Sequence, residues 1–142
     1  MPLISAEDIS KLSGLKRLGL GFLAKPMMWL LGITRINKVY DKCSVHQDVP
    51  FINCIFSTLD INYDYFEDEL RERIPKEGPF IIVANHPLGT MDGMILIKMV
   101  TEIRPDFKVM ANFLLQQIKP ISHYFLAVNP FQNHKDAKSS VG

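Results

Sequence analysis

Residues 80–93 read Phe-Ile-Ile-Val-Ala-Asn-His-Pro-Leu-Gly-Thr-Met-Asp-Gly, and this stretch decides the fold class. Its first five residues form an unbroken apolar run, which is typical of a strand buried on both faces of a sheet. A Pro- and Gly-containing turn precedes the run, and an apolar helical pattern from Gly93 to Thr101 follows it. The stretch therefore predicts a βα unit whose loop, residues 85–92, lies at the carboxyl end of the strand.

The alternation of strand and helix continues towards the C-terminus. A second strand is predicted over Phe107–Ala111, a helix over Phe113–Ile118 and a third strand over Tyr124–Val128. Right-handed crossovers then give a mostly parallel β-α-β-α-β sheet, so the fold class is α/β. Because the chain stops soon after a third buried strand, we expect it to be the first part of a longer, truncated domain.

The residues before the turn have helical patterning, and we predict two domains, 1–74 and 75–142. Ser5 is a predicted N-cap for a short acidic helix, and Val49-Pro50 breaks the pattern before a further helix over Phe51–Leu59. Asp64 to Glu67 forms a capping box that predicts a helix through Arg73, with Phe66 and Leu70 facing the core.

Apolar residues recur at helical spacing between Leu15 and Leu31, and two interpretations of this segment stay open. It is a membrane-interfacial helix, or it is an ordinary core helix in which methionines fill gaps. Lys25, Pro26 and the glycines interrupt it, so we expect no transmembrane span. The interfacial interpretation uses the basic and apolar side chains of Lys16, Arg17, Phe22, Lys25, Met27, Met28 and Trp29.

Charge and cysteine content exclude several classes of protein. The 142 residues carry 16 Lys and Arg against 15 Asp and Glu, which argues against a nucleic-acid partner. Cys43 and Cys54 have no second pair of ligands, so we predict reduced, buried thiols, no disulfide and no metal site. The N-terminus lacks the features of a secretory signal. Apolar N-terminal helices and a bare sheet edge would favour self-association.

The loop after the first predicted strand contains an imidazole, His86, and a carboxylate, Asp92. A carboxylate that holds one ring nitrogen fixes the histidine tautomer and makes the other nitrogen a better base for a hydroxyl proton. Asp92 could equally be only a cap for the following helix. The loop has no serine or cysteine, so in a catalytic loop the hydroxyl of the substrate would attack directly. A nucleophile-elbow hydrolase is not favoured, because the chain has no Gly-x-Ser-x-Gly.

The stretch from Phe80 to Gly93 resembles the first conserved block of the glycerolipid (lysophospholipid) acyltransferases, and the likeness extends over roughly residues 75–128. The resemblance implies that His86 is the general base, that Asp92 orients it, and that acyl-CoA or acyl-carrier protein donates to a lipid hydroxyl with no other cofactor. It also implies a peripheral enzyme on the cytoplasmic face of a membrane, contacted through the N-terminal helices. Five residues are predicted to bind substrate or shape the loop: Asn85, Pro87, Gly89, Gly93 and Asn112. Asn112 could alternatively cap the helix beginning at Phe113.

Three departures from the family pattern refine this expectation. Five residues separate His86 from Asp92 where four are usual, and this form resembles the hemolysin-like branch that includes ornithine- and glycine-lipid acyltransferases. Asn129-Pro130-Phe131 stands where an arginine often holds a glycerol phosphate, which favours an amino-acid lipid such as a lyso-ornithine lipid. A later Glu-Gly-Thr block is missing, which leaves open an alternative function as a non-catalytic lipid- or acyl-chain-binding module of the same fold.

Overall fold

The computed structural model describes residues 3–13, 17, 19–85 and 87–128. Within these residues the chain has the predicted α/β architecture, although it is mostly helical. It divides into two compact units, with the boundary between Tyr63 and Asp64. That division describes compactness alone, and the domain limits 1–74 and 75–142 stay predictions.

The first unit is helical. Its elements are α1 (Ala6–Leu12), a 3₁₀ turn (Gly21–Leu23), α2 (Ala24–Leu30), α3 (Ile33–Cys43) and α4 (Asp48–Leu59). Ser5 caps α1 as predicted, because its hydroxyl accepts the Asp8 N–H while the Asp8 carboxylate accepts the Ser5 N–H. Pro50 lies in the first turn of α4 rather than before it, where a missing N–H leaves no helical bond unmade.

The core of the first unit lies between α3 and α4. Phe51 and Ile52 are fully buried there, and the Tyr40 ring meets the Phe51 ring edge-on at 6.0 Å between centroids. The buried Asn37 side chain donates to the Ile4 carbonyl and accepts the Ile4 N–H, which satisfies its amide and ties the N-terminal segment to α3.

A disulfide joins Cys43, at the end of α3, to Cys54 in α4. The prediction of two reduced thiols is therefore wrong. Spacing in sequence could not decide the point, because it is the packing of α4 against α3 that brings the two Cα atoms to 5.6 Å. Such a crosslink is rare in cytosolic proteins of mesophiles, so the structure removes one argument for a reducing environment.

The second unit contains α5 (Glu67–Arg73), α6 (Thr90–Thr101), β1 (Val109–Asn112), two 3₁₀ turns (Phe113–Gln117 and Lys119–Tyr124) and β2 (Phe125–Val128). β1 and β2 pair in parallel, with Met110 opposite Leu126. The two later strands and the parallel sense are thus confirmed, whereas the predicted helix between them is a pair of 3₁₀ turns. Pro120 lies in the second of these turns. Because proline has no backbone N–H to donate, it does not favour a continuous α-helix through this position.

The first predicted strand, Phe80–Ala84, is the main correction. The segment belongs to no strand ladder among the described residues, and Ile81 and Val83 are each 90% exposed. Phe80 and Ile82 are half-buried, so alternate side chains face the protein and solvent. The prediction of burial on both faces was wrong because an apolar run cannot specify whether a layer of protein covers its outer face.

The helix after the unit boundary also differs from its prediction. α5 begins at Glu67 with no side-chain cap, and Phe66 is 82% exposed instead of facing the core. Leu70 is half-buried, as its spacing suggested. Surface ion pairs spaced four residues apart, including Arg71 with Glu67, support the exposed face of this short helix.

Candidate active site

The candidate site is the loop that connects the Phe80–Asn85 segment to α6. α6 begins at Thr90, three residues earlier than the sequence pattern indicated, so Asp92 lies inside its first turn. Met94, Ile97 and Val100 are buried along one side of the helix and hold it on the core of the unit. The loop is thereby attached to a rigid element at its C-terminal end.

Gly89 gives the loop its abrupt entry into α6. It is the N-cap residue and has φ +62° and ψ −126°, a backbone conformation that a residue with a Cβ adopts only under strain. The backbone conformation at position 89 therefore favours glycine over every other residue. This is consistent with the prediction that Gly89 shapes the loop.

Asp92 closes the loop by a hydrogen bond to the backbone. Its Oδ2 accepts the Leu88 N–H at 2.7 Å, and the carboxylate is half-buried in the first turn of α6, where the positive end of the helix dipole favours negative charge. The alternative in which Asp92 is the N-cap of the helix is wrong, because Gly89 is the N-cap residue and no side chain caps α6; the Asp92 carboxylate instead holds the loop backbone at Leu88. Orientation of His86 by Asp92 is a separate role, and it stays a prediction because His86 lies outside the described residues.

The remaining predicted positions surround this turn or end the neighbouring strand. Asn85 and Pro87 are exposed, and Gly93 is half-buried on α6 with no atom within 4 Å of the place a Cβ would occupy. Asn112 is the last residue of β1, and its Oδ1 accepts the Leu114 N–H at 3.0 Å. Asn112 thus caps the following 3₁₀ turn, and its contact with substrate stays a prediction.

The sequence analysis did not single out one buried charged residue. Arg104, just beyond the end of α6, is 8% exposed and forms a two-pronged pair with the Asp106 carboxylate at 2.8 Å and 2.7 Å. Hydrogen bonding from the guanidinium lowers the pKa of Asp106, and the same bond raises the pKa of Arg104. An arginine and an acid on either side of Pro105 were the only signal available in the sequence.

The described residues also form an open pocket whose lining does not suit an acyl chain. This pocket of about 420 Å³ is lined mainly by charged side chains, those of Asp68, Arg71, Glu72 and Lys76, together with Ile103. In the part of the chain that the structure describes, no three His, Cys, Asp or Glu side chains are grouped closely enough to hold a metal ion. None of its helices has the length and apolarity to span a bilayer.

The fold and the loop define a class: an α/β protein with a candidate acid–base loop at the start of a helix. A family model described as "Acyltransferase" matches residues 10–140. The chain belongs to this acyltransferase family, whose activity is the transfer of acyl groups. No curated protein and no solved structure matches the chain.

Proposed function

We propose that the chain is an O-acyltransferase that moves a fatty acyl group from acyl-CoA or acyl-carrier protein to the hydroxyl of a lyso-lipid. The observation that carries the proposal is the family match over residues 10–140, which includes the whole candidate loop. His86 would be the general base, and Asp92 would hold its imidazole. The bond from Leu88 N–H to Asp92 supports this assignment, because it fixes the acid inside the loop that contains the histidine.

The proposed reaction needs no covalent enzyme intermediate. His86 takes the proton of the acceptor hydroxyl as its oxygen attacks the thioester carbonyl carbon. A carbon–oxygen bond forms and the carbon–sulfur bond breaks, so the thiolate leaves and receives the proton from the imidazolium. One proton passes through His86, and the products are the acylated lipid and a free thiol.

An amino-acid lipid, such as a lyso-ornithine or lyso-glycine lipid, is the proposed acceptor. The support is the five-residue spacing between His86 and Asp92 and the Asn129-Pro130-Phe131 sequence, in which no arginine is present to hold a phosphate. Residues 129–131 lie outside the described residues. Turnover with lyso-ornithine lipid and with lysophosphatidic acid, compared at equal concentrations, tests this choice.

Binding to a membrane surface is proposed for α2 and the turn before it. Phe22, Trp29 and Leu30 are each more than 70% exposed, and Leu31 is 59% exposed, while Met27 and Met28 are half-buried. An exposed tryptophan beside exposed leucines is the composition of an interfacial helix, and Lys25 on α2 is available to anionic headgroups. Residues 14–16 and 18 of the predicted interfacial segment lie outside the described residues.

Trp29 is the single tryptophan, so its fluorescence reports directly on membrane insertion. We expect a blue shift with vesicles of phosphatidylcholine and phosphatidylglycerol, and a loss of vesicle binding in Leu30→Ser/Leu31→Ser. Val45→Ser is the matched control, because Val45 is 77% exposed elsewhere in the same unit. Equal vesicle binding by all three proteins would contradict the proposal. The cytoplasmic face is proposed from the thioester donors, and the redox state of Cys43 and Cys54 in cells tests it.

His86→Ala tests the catalytic proposal. General-base catalysis contributes about 100- to 10,000-fold, so thiol release in the presence of lyso-lipid should fall by that factor. His46→Ala, which changes an exposed histidine of the helical unit, should keep normal turnover. Near-normal turnover by His86→Ala would end the proposal, and lipid binding without thiol release by the unaltered chain would favour the binding-module alternative.

Asp92→Asn separates orientation of His86 from the bond that Asp92 makes to the loop backbone. The amide oxygen can still accept the Leu88 N–H, so the loop and α6 should keep their stability, whereas an imidazolium would lose its counter-charge. We expect the rate of turnover to fall about tenfold or more. A fully active Asp92→Asn would show that Asp92 only holds the loop backbone at Leu88.

A further inference from the structure

The side chain of Arg104 forms hydrogen bonds that connect two segments of the second unit that are distant in sequence. Its Nη1 donates to the carbonyl oxygens of Pro75 at 2.8 Å and Gly78 at 3.1 Å, while Nε and Nη2 donate to Asp106. The guanidinium lies over the ring of Phe80, with its central carbon 4.6 Å from the ring centroid. The guanidinium therefore pairs with a carboxylate, donates to backbone carbonyls and stacks on an aromatic ring at the same time.

These contacts lie where the segment before the loop begins and where α6 ends. The Arg104 N–H bonds to the Val100 carbonyl at 2.8 Å, so the residue directly follows α6. Phe80 begins the segment that leads into the loop, and its ring also stacks on Phe107 at 6.3 Å. Arg104 thus ties the start of the segment before the loop to the end of the helix after it.

The segment after Phe80 depends strongly on this anchor. Among the described residues, 81–85 have no strand ladder to hold them, and Ile81 and Val83 face solvent. Where backbone hydrogen bonds are few and apolar contacts are one-sided, a segment opens at low free-energy cost. The position at which residue 85 enters the loop is then set largely by where Phe80 is held at one end and α6 at the other.

We propose that Arg104 is a positioning residue for the acyltransferase loop: by holding the 75–80 turn and the Phe80 ring against the end of α6, it sets the placement of Asn85 and of residues 87–89. The inference rests on the proposed function, because the loop matters for turnover only if His86 is the base. Arg104 touches no substrate and acts through the segment it holds. Lysine cannot replace it, since an ammonium group lacks the planar fork that serves both the two carbonyls and Asp106.

Arg104→Lys tests the proposal, with Arg71→Lys as the matched control. Arg71 also makes a forked bond to a carboxylate, that of Glu67, but on the exposed face of α5. Because misplacement by about 1 Å can cost about 100-fold, we expect kcat of Arg104→Lys to fall about 10- to 100-fold. KM for the acyl donor should stay within about twofold. Arg71→Lys should leave both constants unchanged.

Hydrogen exchange gives a readout that does not need activity. The amides of residues 81–85, 88 and 89 should exchange at least about tenfold faster in Arg104→Lys, while the buried part of α6 around Ile97 keeps its protection. If Arg104→Lys fails to fold, Phe80→Leu serves instead, because it keeps all four guanidinium hydrogen bonds and removes only the stacked ring. It should give a smaller change in the same direction in both kcat and exchange.

The outcomes distinguish this inference from the proposed function. Unchanged exchange of residues 81–89 and unchanged kcat in both variants, with His86→Ala inactive, would overturn the role of Arg104 and leave the proposed function standing. Loss of protection throughout the second unit would also overturn it, since Arg104 would then be a general stabiliser. Faster exchange limited to the loop and segment supports the placement role, and normal turnover by His86→Ala would reject the catalytic function alone.

Discussion

Two glycines only four residues apart should respond in opposite directions to the same substitution. Gly89, the N-cap of α6, has φ +62° and ψ −126°, whereas Gly93 lies inside the helix with open space where a Cβ would be placed. Alanine at position 89 must either adopt a strained backbone or rearrange the loop. Alanine at position 93 adopts the helical backbone already present and makes no close contact.

The magnitudes follow from these two environments. A non-glycine residue in such a sparsely populated region costs about 1–3 kcal/mol, so Gly89→Ala should destabilise the protein by that amount. Alanine is favoured over glycine inside a helix by about 0.5–1 kcal/mol, so Gly93→Ala should stabilise it by that amount. The free energies of unfolding of the two variants should therefore differ by about 1.5–4 kcal/mol.

Urea unfolding followed by far-ultraviolet circular dichroism measures both variants against the unaltered chain under one set of conditions. Equal stability of Gly89→Ala and the unaltered chain would refute the assignment of a glycine-only conformation at the loop. Destabilisation by Gly93→Ala would refute the open space beside α6. Gly93→Ala also tests substrate contact, because a stabilised protein with a raised KM would show that substrate approaches the helix at this position.

Three further outcomes are expected. Reducing the Cys43–Cys54 disulfide should lower the free energy of unfolding by about 3 kcal/mol, because the crosslink closes a loop across 11 residues; unfolding that is insensitive to dithiothreitol would contradict the disulfide. Asn112→Ala should cost about 1 kcal/mol in urea unfolding by removing the acceptor for the Leu114 N–H, and no loss would exclude the cap. Arg104 lowers the pKa of Asp106 below its usual 3.8, so the Asp106 carboxylate binds a proton less readily in the folded state than in the unfolded state. The resulting stabilisation of the folded state is present above pH 3.8 and is lost as the pH falls through the lower pKa of the folded state. The unfolding temperature of Asp106→Asn should accordingly fall less steeply below about pH 4 than that of the unaltered chain, and parallel curves would contradict the linkage.

The predictions that succeeded rest on interactions close in sequence. The Ser5 cap, the apolar spacing of α6 and the cap at Asn112 all depend on residues within a few positions of one another. The bond of the Asp92 carboxylate to Leu88, four residues back, is also local, although the sequence analysis did not predict it. For the candidate site, local sequence therefore predicted that a helix follows the loop, but placed its start three residues too late and did not show how the loop is held from a distance.

The predictions that failed concern neighbours in space. Phe66 and the Phe80–Ala84 segment were expected to be buried on the basis of apolar pattern alone, and pattern cannot show whether another layer covers a surface. Cys43 and Cys54 were expected to be reduced because their spacing matches no motif, yet the packing of α3 against α4 joins them.

The amino-acid sequence by itself determined the α/β class, the parallel sense of the two later strands and the chemical identity of the loop, because hydrophobic periodicity and short-range hydrogen bonding are local properties. Only the tertiary structure decided that Arg104 bonds carbonyls 26 and 29 residues away, that the two cysteines meet, and that Ile81 and Val83 face solvent. These features depend on which surfaces come together when the chain closes long loops, and no short window of sequence contains that information.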